Sequence, residues 1–294
     1  MFIVFLKKIW YRIYAGLFIK SKAERKKFRK ENILHTEQKY LRKYLNVLNN
    51  LPQKTPLSDD NRKIWICWFQ GIENAPDIVK KCYESVKLNN PDRDICLITA
   101  DNLSEYVTFP NYILEKWKKG IITNTHLTDL LRLELLIRYG GLWLDATVLC
   151  TGQAPDYFFD SDLFFYQTLK PGRDGHASYI SSWLMEAKTN NKLLMATRDL
   201  CYEYWKFNDL MWDYFLLHDF LSIVLEEYED DWNKIIPRDN ATPHILLLRL
   251  FDQYDENMWQ SIKAQTQFHK LTYKFEDDKR KLNNTYYDVL LGDK

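Results

Sequence analysis

The sequence predicts an α/β domain built on a parallel sheet, with helices before it and a helical region after it. Three observations carry that expectation. Short β-prone apolar runs at 63–69 (KIWICWF) and 95–99 (ICLIT) flank one helix-length segment, the β–α–β order that a parallel crossover needs. A helix-period segment at 125–139 passes through Gly140-Gly141 straight into another apolar run, 142–147. The composition, 46% hydrophobic and 15% aromatic, is that of a chain with a sizeable core rather than a disordered one.

The elements follow in order. Residues 1–30 hold ten Lys/Arg and one acid, whereas the remaining 264 hold 31 basic and 39 acidic residues. The body is therefore mildly acidic and no nucleic-acid partner is expected, while the N-terminus suits an anionic partner. In a helix, Ile3, Leu6, Trp10, Ile13, Tyr14 and Leu17 fall within an arc of roughly 100°, the width of an apolar stripe. Lys7, Lys8 and Arg12 interrupt the run and no small-residue cleavage site follows, which argues against a signal peptide. The segment is also too charged to span a bilayer. An amphipathic helix lying on an anionic membrane surface through residues 1–30 fits it. The alternative is a helix packed on its own domain or on a partner. A second helix is expected from Glu31 to Asn49, then a Pro/Asp-rich linker from Leu51 to Asn61. The division is thus a basic helical segment at 1–58 and an α/β domain at 59–294.

Within that domain, Lys63–Phe69 reads as the first strand, closed by Gln70-Gly71. Pro76 opens a helix through Leu88, which Asn89-Asn90-Pro91 breaks. Ile95–Thr99 is the second strand, and Pro110 to Gly120 bounds another helix. Thr125–Tyr139 is a helix that Gly140-Gly141 stops, since glycine takes the left-handed cap at no steric cost. Leu142–Thr147 and Leu163–Tyr166 read as strands. Residues 190–206, 209–228 and 243–264 read as helices, and Leu271–Phe275 as a returning strand. Five cysteines, an odd number without a CxxC pair, fit reduced thiols in a cytosolic protein.

The chemistry gathers in TNTHLTDLLRLELLIRYGGLWLDATVLCT, 123–151. Asp129 and Arg132 lie three residues apart on one helical face, and Asp145 ends the following strand. The fold brings two carboxylates and a guanidinium towards one place, at the end of a buried strand where α/β proteins bind ligands. The bland readings are a surface ion pair for Asp129 and Arg132 and a turn cap for Asp145. There is no GxGxxG, P-loop, HExxH or GxSxG motif.

The segments KIWICWFQG (63–71), THLTDLLRLELLIRYGGLWLDAT (125–147) and SSWLMEAKTNNKLL (181–194), with the Pro-led helix ending in NNP (76–91), resemble the bacterial capsular polysaccharide synthesis proteins. These are DXD-type, sugar-binding-motif glycosyltransferases, similar also to yeast mannosyltransferases and clostridial glucosylating toxins. The most specific part is [ST]-D-x-x-R followed by G-G-x-x-x-D. The resemblance implies a GT-A-like, Rossmann-like nucleotide-sugar-binding domain, a nucleotide-diphosphate donor such as a UDP-sugar, and retention of configuration. It implies a saccharide acceptor, lipid-linked where surface polysaccharide is assembled, and a cytoplasmic protein peripheral to the inner face of the membrane.

By the same resemblance Asp145 matches the first Asp of D-x-D, for metal or donor-ribose contact. Thr147 stands at the third position, a weak ligand for Mn²⁺ or Mg²⁺ beside a carboxylate. Either another residue completes the expected Mn²⁺ or Mg²⁺ site, with His218 and Asp219 as the candidates, or the metal is held mainly by Asp145, phosphate oxygens and water. Asp129 and Arg132 match the donor-sugar contacts, and these two with Asp145 are the expected catalytic set. Trp68 matches the aromatic that stacks on the nucleobase. Gln70 and Gly71 let the backbone approach the nucleotide, and Asn102 and Gly141 complete the donor-binding set. The helical segment 176–228 is expected to shape the acceptor cleft, with Asp213 or His218 near it. Two rival readings remain: a non-catalytic membrane-associated binding protein that kept the fold, and a glycoside hydrolase using paired carboxylates.

Overall fold

In the computed structural model, which describes residues 2–50, 62–168 and 180–292, the chain enters through two helices, α1 (Phe2–Phe18) and α2 (Lys22–Leu41). The Ser21 hydroxyl caps α2 by accepting from the Glu24 N–H. Lys8 bonds Glu37 at 2.5 Å, and the Tyr11 and Thr36 hydroxyls lie 3.0 Å apart, so the two helices form one hairpin. A 3₁₀ stretch, Arg42–Asn50, follows. Leu41 and Tyr44 are buried in the main core, where Tyr44 meets Tyr204 and Phe220 edge-on. The expected linker at 51–61 lies outside the described residues.

The domain then runs β1 (Lys63–Cys67), α3 (Asp77–Asn89), β2 (Asp94–Ile98), α4 (Leu103–Tyr106), α5 (Asn111–Lys118), α6 (Asn124–Tyr139) and β3 (Gly141–Leu144). Both β2 and β3 pair with β1 in parallel, as the β–α–β order predicts. Next come β4 (Val148–Cys150), α7 (Asp156–Asp160), β5 (Leu163–Gln167) and β6 (Ile180–Ala187). The main sheet has the order β2-β1-β3-β6-β5, and its last two pairings are antiparallel. Only β6 therefore runs against the other four strands.

That strand corrects the expectation of a uniformly parallel sheet and of a helical stretch at 176–228. Ser181, Ser182 and Glu186 break up its apolar pattern, so it does not read as a strand. Yet every one of its residues is buried, because β3 and β5 flank it and the helices cover its faces.

The remainder is α8 (Lys192–Phe207), α9 (Leu216–Glu227), α10 (Glu229–Trp232), α11 (Ile245–Arg249), α12 (Glu256–Lys263), β7 (Phe268–Lys270) and α13 (Tyr286–Leu291). The helix expected at 209–228 starts only at Leu216. The one expected at 243–264 is broken into α11 and α12, with the Asp255 carboxylate capping the second. The late strand lies at Phe268–Lys270, ahead of the expected Leu271–Phe275, and pairs with β4 in a separate two-stranded sheet. All five cysteines are unpaired, and all but Cys96 are buried.

Helix α6 and the glycine pair set the approach to the site. The Thr123 hydroxyl caps α6 by accepting from the His126 N–H. Gly140 ends it with φ +67°, and its carbonyl accepts from Trp65 Nε1 at 2.8 Å. Gly141 follows at φ +94°, and a Cβ there would sit 2.4 Å from the Lys63 carbonyl oxygen. Only glycine lets β3 start this close to β1.

Candidate functional site

A cleft of about 470 Å³ opens at the carboxyl ends of β1 and β3, where parallel strands present their ligands. Its floor is the turn after β3. The Val148 N–H donates to the Asp145 carbonyl at 3.0 Å, so Asp145–Val148 is a tight turn that swings the chain from the main sheet into β4. The Leu271 N–H donates to the Thr147 carbonyl at 2.9 Å, continuing the β4–β7 pairing. The far wall is thereby formed by the end of β7 and the residues after it, Lys270 to Lys274.

The centre of the site is one carboxylate held by two cations. Arg132 Nη2 lies 3.3 Å from Asp145 Oδ1, and Lys270 Nζ donates to Oδ2 at 3.0 Å. Trp143 Nε1 donates to Oδ1 at 3.1 Å. Lys270 also donates to the Thr147 hydroxyl at 2.5 Å. Burial alone would raise the Asp145 carboxyl, but the Lys270 and Arg132 cations and the donors from Lys270 and Trp143 outweigh it. They hold it below the usual carboxylate range.

Arg132 is positioned from behind. Its Nη1 donates to the Ser182 carbonyl of β6 at 2.6 Å, its Nη2 lies 3.2 Å from Asp129, and its guanidinium stands 5.1 Å over the Trp143 ring. Asp129 lies 3.4 Å from His126 Nδ1, and His126 Nε2 accepts from Trp205 Nε1 at 2.9 Å. The pair expected at 129 and 132 is thus no surface ion pair. Both residues are buried, and only Arg132 reaches the cleft. Asp129 holds the guanidinium in place instead of facing a ligand.

Trp68 and Gln70 line the cleft at the end of β1. Trp68 meets Tyr273 edge-on at 5.4 Å, so an aromatic pair spans the two walls. Gly71 turns the chain at φ +79°, its N–H donating to the Trp68 carbonyl at 3.0 Å.

Besides Asp129, three further members of the expected donor set, Gly71, Gly141 and Asn102, do not line the cleft. Gly141 starts β3 and Asp145 follows its end, so they are about 13 Å apart at about 3.3 Å per residue. Gly141 serves strand packing, as its approach to Lys63 requires. Asn102 spends its side chain on the end of β2. Its amide donates to the Leu97 carbonyl at 2.9 Å and its oxygen accepts from the Thr99 N–H at 2.8 Å. It does not line the cleft.

The expected metal set is not brought together. No group of three or more His, Cys, Asp or Glu side chains suited to a metal forms among the described residues. His218 and Asp219 are neighbours on α9 and point to different sides, as adjacent helical positions must. His218 feels Asp129, Arg132 and Asp145, and burial pushes its imidazole down to about 4. Asp219 is buried, and burial, with Glu37 and Asp213 nearby, pushes its carboxyl well up. It belongs to the packing under α2. Asp145, the one carboxylate that lines the cleft among the described residues, already has cations on both oxygens. A divalent ion at Asp145 would have to displace Lys270 and draw its other oxygen ligands from phosphate and water.

Lys270 escaped the sequence reading. It is one of 41 Lys/Arg residues, and the strand that aims it is three residues long and lies ahead of the expected one.

The α/β domain thus carries, at the carboxyl ends of its parallel strands, a cleft in which Arg132 and Lys270 converge on Asp145 near the Trp68 indole. The chain belongs to the capsular polysaccharide synthesis protein family, whose family model matches residues 14–290. It is similar to the O-glycosyltransferase PaGT of Phomopsis amygdali, 25% identical over 177 residues, which cover 54% of this chain and 42% of that one. The O-glycosyltransferase braB of Annulohypoxylon truncatum is 32% identical over 105 residues, 33% of this chain and 25% of the relative. The chain thus matches less than half the length of these curated relatives. Among solved structures, the PaToxG glycosyltransferase aligns with a TM-score of 0.39 and 14% identity, covering 88% of this chain and 96% of that one.

Proposed function

We propose that this protein is a glycosyltransferase that moves a sugar from a nucleoside-diphosphate donor, a UDP-sugar in the first instance, to a saccharide acceptor during surface polysaccharide assembly. The observation that carries the reading is the cation pair, Arg132 and Lys270, on Asp145 at the carboxyl end of β3. A diphosphate is the ligand that two convergent cations and an indole platform suit. In this reading Trp68 takes the base, and Arg132 and Lys270 face the diphosphate. The acceptor attacks on the side from which the phosphate departs, and that phosphate takes its proton, which leaves the configuration retained. Tyr214, 59% exposed at the rim, stands on the acceptor side.

Helix α1 supports a membrane-surface acceptor. Leu6, Trp10, Ile13, Tyr14 and Leu17, five of the six stripe residues, are exposed rather than packed on the domain. Basic residues flank them, each contributing about 1 kcal/mol beside an anionic surface. No helix among the described residues is long and apolar enough to cross a membrane.

The test is donor turnover. The purified chain is incubated with UDP-, GDP- and CDP-sugars and a polysaccharide fraction, and nucleotide release and product are followed by chromatography. Sugar transfer from one donor, lost in Arg132→Ala, supports the reading. Binding without turnover favours the non-catalytic alternative, and sugar release from polysaccharide with no nucleotide present favours the hydrolase.

A further inference from the structure

A nucleoside diphosphate leaves readily only where positive charge meets the oxygen on which its electron pair is left. In this cleft that place is taken by a side chain. We propose that the Lys270 ammonium, seated on Asp145 Oδ2 and Thr147 Oγ1, binds the donor's diphosphate in place of a divalent cation, so that donor binding and transfer proceed without metal. The inference rests on the donor reading above and names the group that acts on the leaving phosphate.

Three features support it. An ammonium has three N–H donors, and the two acceptors at 3.0 and 2.5 Å use two of them. The third is left for a ligand oxygen in the cleft that Lys270 lines. Its backbone is fixed in β7, whose Lys270 pairs with Val148 directly after the D-A-T turn. The ammonium therefore sits beside Thr147, the position where a second carboxylate would hold a metal. Finally, two cations, Arg132 and Lys270, line the cleft beside a single carboxylate, Asp145, among the described residues, so an arriving diphosphate meets cations rather than a carboxylate cluster that needs a metal to offset it.

The step balances without a further reactant. The bond between the sugar's anomeric carbon and the phosphate oxygen breaks, and its electron pair goes to that oxygen beside Lys270. The acceptor oxygen bonds to the anomeric carbon, and the acceptor hydroxyl's proton passes to the departing phosphate.

The test is calorimetric titration of UDP, GDP and CDP into the full chain, in EDTA and again with Mn²⁺. The expected result is that one nucleotide binds in EDTA within about threefold of its affinity in Mn²⁺. Lys270→Met weakens that binding at least about tenfold, the scale of one charge-assisted contact, and Lys270→Arg keeps most of it. A melting curve is recorded for each variant; if Lys270→Met does not fold, Lys270→Gln takes its place. A requirement for Mn²⁺, or indifference to the loss of the ammonium, would overturn the proposal. Failure of every nucleotide to bind under both conditions would instead remove the donor reading itself.

Discussion

The Lys270 ammonium lies 3.0 Å from Oδ2 of Asp145 and ties the small second sheet to the end of the main one. Arg132 holds the other oxygen at 3.3 Å. One carboxylate therefore joins β3, α6 and β7, and in the donor reading stability and ligand binding share the same contact.

Asp145→Asn tests that sharing. It leaves two cations facing each other across a neutral amide. Breaking a buried ion pair costs about 3–5 kcal/mol, and the Asp145 side chain, 28% exposed, belongs at the lower end. The expected result is a lowered urea midpoint at pH 7. The folded carboxyl is depressed below its ordinary value of 3.8, so its contribution is complete above that pH and is lost as pH falls further. The gap between wild type and variant should narrow as pH falls below 3.8. A gap that persists unchanged in acid would show that packing, not charge, is responsible.

Glu186 predicts the opposite slope. It is fully buried in β6, and burial pushes its carboxyl up to about 9 from 4.5. A raised acid contributes stability in full below its unfolded value and loses it as pH rises towards the folded one. Between pH 5 and 8 the loss approaches about 1.4 kcal/mol per pH unit. Glu186→Gln keeps the shape and removes the titration, so it should stabilise the protein more at pH 8 than at pH 5. Urea midpoints at the two pH values give the comparison.

Gly141→Ala should be severe. The new Cβ would lie 2.4 Å from the Lys63 carbonyl, at a φ of +94° that alanine avoids. A loss of at least about 3 kcal/mol is expected, from backbone strain and the displaced strand together. A melting temperature within a degree of wild type would refute the close approach of β3 to β1.

Trp68→Leu should leave the fold intact and weaken nucleotide binding. Loss of one base–aromatic stack is worth about 1–3 kcal/mol, roughly tenfold or more in Kd. Calorimetry against the nucleotide that wild type prefers is the measurement. Equal affinity would move the base away from the indole.

Trp10→Glu with Leu17→Glu should release the protein from anionic vesicles. The two side chains are 55% and 73% exposed, so no core is disturbed. Each apolar side chain withdrawn from a membrane costs about 1.5–3 kcal/mol, which predicts at least about tenfold weaker co-sedimentation. Equal partition of both proteins would assign the apolar face of α1 to another partner.

Much of the parallel half was legible. β1, α3, β2, α6 and β3 have unbroken periods with glycine, proline or asparagine at their ends, and local rules recover such elements. β6 was not legible because Glu186 and two serines interrupt its pattern, and their burial depends on β3 and β5 closing over them. α11 and α12 read as one helix because both present apolar faces, whereas the intervening turn is set by contacts such as Tyr254 N–H to the Asn284 carbonyl at 2.7 Å.

The sequence by itself determined the helix–glycine–strand unit that carries Asp129, Arg132 and Asp145, because their spacing along 16 residues is local geometry. Only the tertiary structure decided which of them reach the cleft. It withdrew Asp129 behind Arg132, sent Gly141 and Asn102 to backbone tasks, and brought Lys270 to Asp145 from 125 residues away. A contact at that separation depends on how two sheets close on each other, which no local period encodes.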